Sequence, residues 1–192
     1  MTSRLIVPIV EGQGEQAALP ILIRRIFSEF QPEVLPEINY PVRVKASSFL
    51  NEPSYFKKYV ELAAAKAAQG GGRVLILLDC EDSCPGILGP QLLERARAVR
   101  NDIPIFVALA HREYETWFLA AAASLAGCEG LPAGLEPPHN PESIRGAKEW
   151  LGSQLPSHYD PISHQAKFSN IFSLQEARTV PSFARLVEKL IA

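Results

Sequence analysis

Residues 5–20 read LIVPIVEGQGEQAALP, and the way this stretch divides decides the fold. Residues 5–10 form a short apolar run of strand length. Past the turn, apolar residues recur at Leu19, Leu22, Ile23, Ile26, Phe27 and Phe30, the spacing of one helix face. The opening is therefore strand, turn, helix. A glycine turn at this junction is where many α/β proteins cradle a phosphate against a helix N-terminus. Here Glu11 and Glu15 flank the turn, and carboxylates repel such a group. Gly12, Gly14 and Ala17 fit the G-x-G-x-x-A pattern of dinucleotide sites. The two acids argue against a nucleotide cofactor, and so does the next strand, which ends near Lys45 and Ala46 without the acid a ribose needs.

Working outward, Pro32 and Pro36 close the first helix, and residues 42–45 read as a second strand. Tyr55, Tyr59, Leu62, Ala63 and Lys66 keep helical spacing up to the stop at Gly70, Gly71 and Gly72. A buried strand follows at 73–78, a helix at 90–99, an apolar strand at 104–110 and the strongest helical pattern at 114–125. Strands alternating with helices predict an α/β fold, a parallel sheet of about four strands with helices on both faces. Beyond Gly127 prolines interrupt short helical pieces. Asn140 is placed to cap a helix that Pro141 starts and that runs to about Leu155, and a last amphipathic helix spans 182–191. Residues 1–128 are read as the core. Residues 129–192 are read as a helical extension packed on it, within a single domain, because they lack the apolar residues for a core of their own.

The 192 residues are 47% hydrophobic and 21% charged, and 19 basic against 21 acidic side chains leave a net charge of −2. Any polyanion must then be held locally, through a metal, or with a partner's help. Three cysteines make no disulfide framework, and no signal-peptide pattern opens the chain, so the cytoplasm is the expected compartment. Apolar stretches such as 117–123 fall far short of the roughly 18 to 20 residues that span a bilayer, and no membrane role is expected. The histidines at 111, 139, 158 and 164 are scattered, and Cys80 and Cys84 lack a second pair, which argues against zinc. No G-x-S-x-G elbow points to a covalent hydrolase.

In an open parallel sheet the ligand crevice lies beyond the carboxyl ends of the strands. Here those ends are acidic: Glu11 with Glu15 after the first run, Asp79, Glu81 and Asp82 in LLDCED, and Glu113 and Glu115 in HREYETW. Carboxylates gathered on one rim raise each other's pKa unless a cation neutralises them. A hard divalent metal is the simplest neutraliser.

VEGQGE, LLDCED and REYETWFLA, together with NPESIRGAKEWL, YDPISHQAKF and the closing SFARL, resemble the Toprim-related family of short bacterial proteins known as domain of unknown function 4276. The resemblance covers nearly the whole chain. It implies a Toprim-like, Rossmann-like fold related to topoisomerase, primase and overcoming-lysogenization-defect nuclease domains. In those relatives a glutamate after the first strand and a D-x-D pair after a later one hold magnesium for phosphodiester chemistry. Carried over, Glu11 and Glu15 match the two glutamates, Asp79 the first acid of the pair, and Glu81 the second. Glu81 stands where an aspartate is usual, which transfers part of the ligand role to Asp82. The resemblance also implies an ATPase partner and a role in phage defence.

The resulting expectation is metal-dependent hydrolysis of a phosphodiester in DNA or RNA. Mg²⁺ or Mn²⁺ would take oxygen ligands from Glu11, Asp79 and Glu81, with Glu15 and Asp82 completing a second site or holding water. Glu113 or Glu115 would orient that water or act as general base. Helical spacing sets the two about 200° apart, so one faces the rim, and Glu113, nearer the strand end, is preferred. Lys167 and Arg112 are the candidate cations for the phosphoryl oxygens, Lys167 with an exposed surface position as the plainer reading. Gly12, Gly14, Arg112 and Glu115 complete the substrate side. The rivals are a non-catalytic Toprim-like module that binds an ATPase and a small-molecule phosphoesterase.

Overall fold

The computed structural model describes residues 4–192. It opens with β1 (Arg4–Val10), the glycine turn and α1 (Gln13–Phe30). There follow β2 (Pro36–Ile38), β3 (Val42–Arg43), α2 (Ala46–Asn51), α3 (Pro53–Gln69), β4 (Arg73–Asp79), α4 (Pro85–Val99) and β5 (Ile105–Ala110). After these come α5 (Thr116–Ala120), α6 (Ala122–Leu125), a single 3₁₀ turn (Pro141–Ser143), α7 (Ala147–Gln154), α8 (Pro161–Ile171), α9 (Leu174–Ala177) and α10 (Pro181–Ile191).

Five strands pair in parallel, in the order β2, β1, β4, β5, with β3 also on β1. The fifth strand is β2, which the apolar pattern does not mark; the strand expected at 42–45 is present as β3, shortened to Val42–Arg43. β2 pairs with the first half of β1 and β3 with its last two residues. Pro41 lies between them, has no N–H for the ladder, and so interrupts it. Strand order reverses between β1 and β4: the chain steps from β1 to β2 on one side, then crosses to β4 on the other. That reversal opens a crevice at the carboxyl ends of β1 and β4.

Successive strand residues feed two cores. Ile6, Val10, Leu75, Leu77, Ala108 and Ala110 face α1 and the C-terminal helices, while Val7, Ile9, Val74, Ile76, Leu78 and Val107 face α2, α3 and α4. Residues 129–192 belong to the first core outright. Phe168, Phe172, Phe183, Leu186 and Leu190 are buried with Leu19, Leu22, Trp117 and Phe118. At about 1.5–3 kcal/mol for each large side chain removed from water, this face of the sheet depends on that segment.

Three helical expectations change. The helix expected at 90–99 begins at Pro85, whose fixed φ suits the first turn, and Pro90 sits inside it. The expected 114–125 helix is two short ones, broken at Ala121. There the Ser124 hydroxyl donates to the Ala121 carbonyl at 2.6 Å and accepts from the Ser173 N–H at 2.8 Å, a competing bond set up by the distant α9. The expected helix from Pro141 to Leu155 is also divided, because Gly146 takes φ 73° and starts α7 afresh, and Asn140 makes no side-chain cap.

Candidate functional site

Each acid at the crevice is held by a local feature. Gly12 caps α1 without a side chain, so Glu15 reaches back and its Oε2 accepts the N–H groups of Glu11 and Gly12, both at 3.2 Å. That bond explains one acid beside the turn: Glu15 supplies the cap that glycine lacks. It also buries the carboxylate, which is 4% exposed. Asp79 ends β4, and its Oδ1 accepts the Tyr114 N–H at 2.8 Å, locking the β5 end to the β4 end. Glu115 is fully buried; its Oε1 accepts from the Tyr159 hydroxyl at 3.0 Å and the Gln165 amide at 2.8 Å.

The counter-charge at this site is Lys148, in the first turn of α7. Its Nζ stands 3.6 Å from Glu115 Oε2, 3.8 Å from Asp79 Oδ2 and 3.9 Å from Glu113 Oε2, and its own N–H donates to Glu113 at 3.1 Å. Among the described residues Glu115 Oε2 has no hydrogen-bond partner, and the Lys148 ammonium is the cation that stands near it. One cation among these acids is too little. Burial, then the repulsion of Glu15 and Glu115, drives Asp79 well above the ordinary carboxylate range. Burial, partly offset by its two backbone bonds, lifts Glu15 to about 7. Burial and Glu81 raise Glu11, and burial raises Glu115. Burial works against the charge on Lys148, but Glu115, Asp79, Glu113 and Glu15 together overcome it and raise its pKa.

In front of these groups lies a cleft of about 500 Å³, lined among others by Glu11, Asp79, Glu81, Asp82, Lys45 and Ser47. An apolar groove of about 330 Å³ between α4 and α10 carries no acid and stands apart from the strand ends that bear them. Among the described residues, no three His, Cys, Asp or Glu side chains already converge as a metal site. The donor set nevertheless fits a hard cation: it is all carboxylate oxygen, it lines an open cleft, and it is short of positive charge.

The residues singled out in the sequence divide accordingly. Glu11, Glu15, Asp79, Glu113 and Glu115 come together. Glu113 and Glu115 do not face opposite ways, because residues 113–115 form a turn ahead of α5, entered through Arg112 at φ 67°, and both acids meet Lys148. Glu81, at φ 46°, stays exposed on the cleft rim beside Glu11. Asp82 turns away to Arg112 at 2.8 Å and Arg145 at 2.9 Å. Lys167 is exposed and pairs with Glu129 at 2.6 Å; α8 turns Gln165 toward Glu115, and a residue two positions on faces about 200° away. Gly12 is the cap of α1, and Gly14 lets α8 approach, since a side chain there would strike Gln165 and the Pro161 carbonyl.

Lys148, Tyr159 and Gln165 were not legible as site residues. One signal did exist for Lys148: a lysine in the first turn of a helix opposes the helix dipole and calls for nearby carboxylates. No curated protein and no solved structure matches this chain. The family model described as Domain of unknown function (DUF4276) matches residues 10–191, and the chain belongs to that family.

Proposed function

We propose that this protein is a Toprim-like, divalent-cation-dependent phosphodiester hydrolase acting on nucleic acid. The observation that supports it most is the burial of Glu15 and Glu115 beside Asp79, whose side chain is 13% exposed, and Glu11 at the strand-order reversal, where Lys148 is the one cation paired with these acids among the described residues. Glu11, Asp79 and Glu81 would hold Mg²⁺ or Mn²⁺, which when bound polarises a phosphoryl oxygen and acidifies water. Lys148 favours the ionised forms of Asp79 and Glu115 against the burial that opposes them, and would add positive charge near the reacting phosphate. Glu113, held by the Lys148 N–H, would accept a proton from water. An ATPase partner and a place in phage defence are part of the same proposal, and they rest on the family resemblance alone.

The test is nicking of supercoiled plasmid with Mn²⁺ or Mg²⁺. Glu11→Gln and Asp79→Asn are each expected to lower the rate about 100-fold or more. A second reading, a non-catalytic module that serves an ATPase, draws on Lys148 standing amid the acids in a cation's position. Plasmid left intact at every metal concentration, with the protein bound to an ATPase whether or not metal is present, would select it.

A further inference from the structure

Asp82 receives more cation than a surface acid needs. Arg112 Nη1 donates to its Oδ1 at 2.8 Å, while Arg145 presents Nη1 to Oδ2 at 3.1 Å and Nη2 to Oδ1 at 2.9 Å. Two guanidinium groups thus close on one carboxylate, as they close on a phosphate. The two arginines come from distant segments, the loop after β5 and the residue before Gly146. Their meeting is built into the backbone. Glu81 and Arg112 both adopt positive φ, 46° and 67°, which side-chain-bearing residues rarely do, and the Glu81 N–H donates to the Arg112 carbonyl at 3.1 Å. Gly146 at φ 73° swings Arg145 over the same spot. Arg112 Nε is buried with no partner, a donor still unused. Between the arginines is a hollow of about 180 Å³ that shares Glu81 and Asp82 with the acidic cleft and is bordered also by Glu113. Of these acids, Glu113 is engaged by Lys148, and Glu81 also borders the acidic cleft. Asp82, with its side chain 66% exposed, is the acid that faces the guanidiniums.

We propose that Arg112 and Arg145 form a subsite for a backbone phosphate of nucleic acid next to the acidic cleft, and that Asp82 is a built-in stand-in which the phosphate displaces. The proposal rests on the nucleic-acid reading above and gives it a second anchor. It also removes Asp82 from the ligand set. An exposed ion pair is weak and opens readily, so the latch costs a polyanion little while it keeps small anions out. In a protein of net charge −2, such a local pair is where a phosphate gains attraction without a basic surface.

Fluorescence anisotropy with a labelled single strand of about 20 nucleotides, at about 50 mM salt and in EDTA, tests the subsite without metal or cleavage. Asp82→Asn is expected to bind about fivefold tighter than the parent protein; Arg145→Ala is expected to bind about fivefold weaker, with a salt slope shallower by about 1. Glu94→Gln makes the same charge change on the exposed face of α4, outside the hollow, and is expected to leave binding unchanged. Equal tightening by Glu94→Gln, unchanged binding by Arg145→Ala, or no binding by any variant would overturn the subsite. An Asp82→Asn protein that melts earlier without binding tighter would show the trio to be a structural clip, and would overturn it too. Failure of the hydrolase reading looks different: DNA is bound with these rankings yet stays intact in Mn²⁺.

Discussion

A lysine near the start of a helix, facing three carboxylates, is the residue on which this site turns. Lys148 lies 35 residues beyond Glu113, yet its Nζ is within 4 Å of Asp79, Glu113 and Glu115. Removing it leaves the buried Glu115 with its Oε2 uncompensated. The lysine side chain is 37% exposed, so water would soften the loss. Lys148→Ala is expected to destabilise the fold by about 1–3 kcal/mol at neutral pH, between the exposed and the buried limits for an ion pair. Lys148→Ala combined with Glu115→Gln should recover most of that, because the orphaned charge goes with its partner. Urea denaturation of the two single variants and the double variant measures the coupling; additive losses would mean that Lys148 does not compensate Glu115.

Among elements, the pairing of α1 with α8 sets the site's geometry, and Gly14 permits it. Gln165 on α8 bonds Glu115, while Gly14 on α1 lies directly against Gln165 and the Pro161 carbonyl. Gly14→Ala is expected to cost about 1–3 kcal/mol, by forcing the two helices apart. Gly134, which has open space where a Cβ would stand, serves as the control and should tolerate alanine within about 0.5 kcal/mol. Thermal melts of the two variants decide it. Equal melting temperatures would mean that α8 yields without cost. The same close contact gives Gly14 a packing role in place of the dinucleotide role that the flanking acids argue against. Gly12 and Gly14 have the dinucleotide spacing, but one is a helix cap completed by Glu15 and the other a helix crossing.

For the molecule as a whole, the crowded acids set a pH dependence. Glu15 holds its proton up to about pH 7 when folded, against 4.5 for the ordinary side chain. The folded state therefore binds the proton more tightly, and stability falls as pH rises from about 4.5 to 7, then levels off; the contribution is about 3 kcal/mol. Asp79 shifts in the same direction. The metal-free protein should melt at a lower temperature at pH 8 than at pH 5.5, and Glu15→Gln should flatten the profile. Added Mg²⁺ or Mn²⁺ should restore the melting temperature at pH 8 more than at pH 5.5, since a cation competes with the protons. A metal-free melting temperature that stays level across this range would show that the acids are not crowded.

Period and punctuation in the sequence determined much of this protein. Apolar runs at the positions of β1, β4 and β5, helical spacing in α1, α3 and α10, and acids just past the strand ends are local patterns, and they were legible because a strand or helix must bury a face whatever surrounds it. Glu11, Glu15 and Asp79 followed from those patterns. Only the tertiary structure decided which charge answers which. Lys148 rather than Lys167 meets the acids, Asp82 goes to two arginines, and Glu113 and Glu115 share one lysine. It also broke helices at Ala121 and Gly146, where distant residues or a single left-handed glycine overrode the spacing. The physical reason is range. Hydrophobic burial is imposed residue by residue along an element, whereas neutralising a buried charge depends on whatever side chain the packing of far segments brings within about 4 Å.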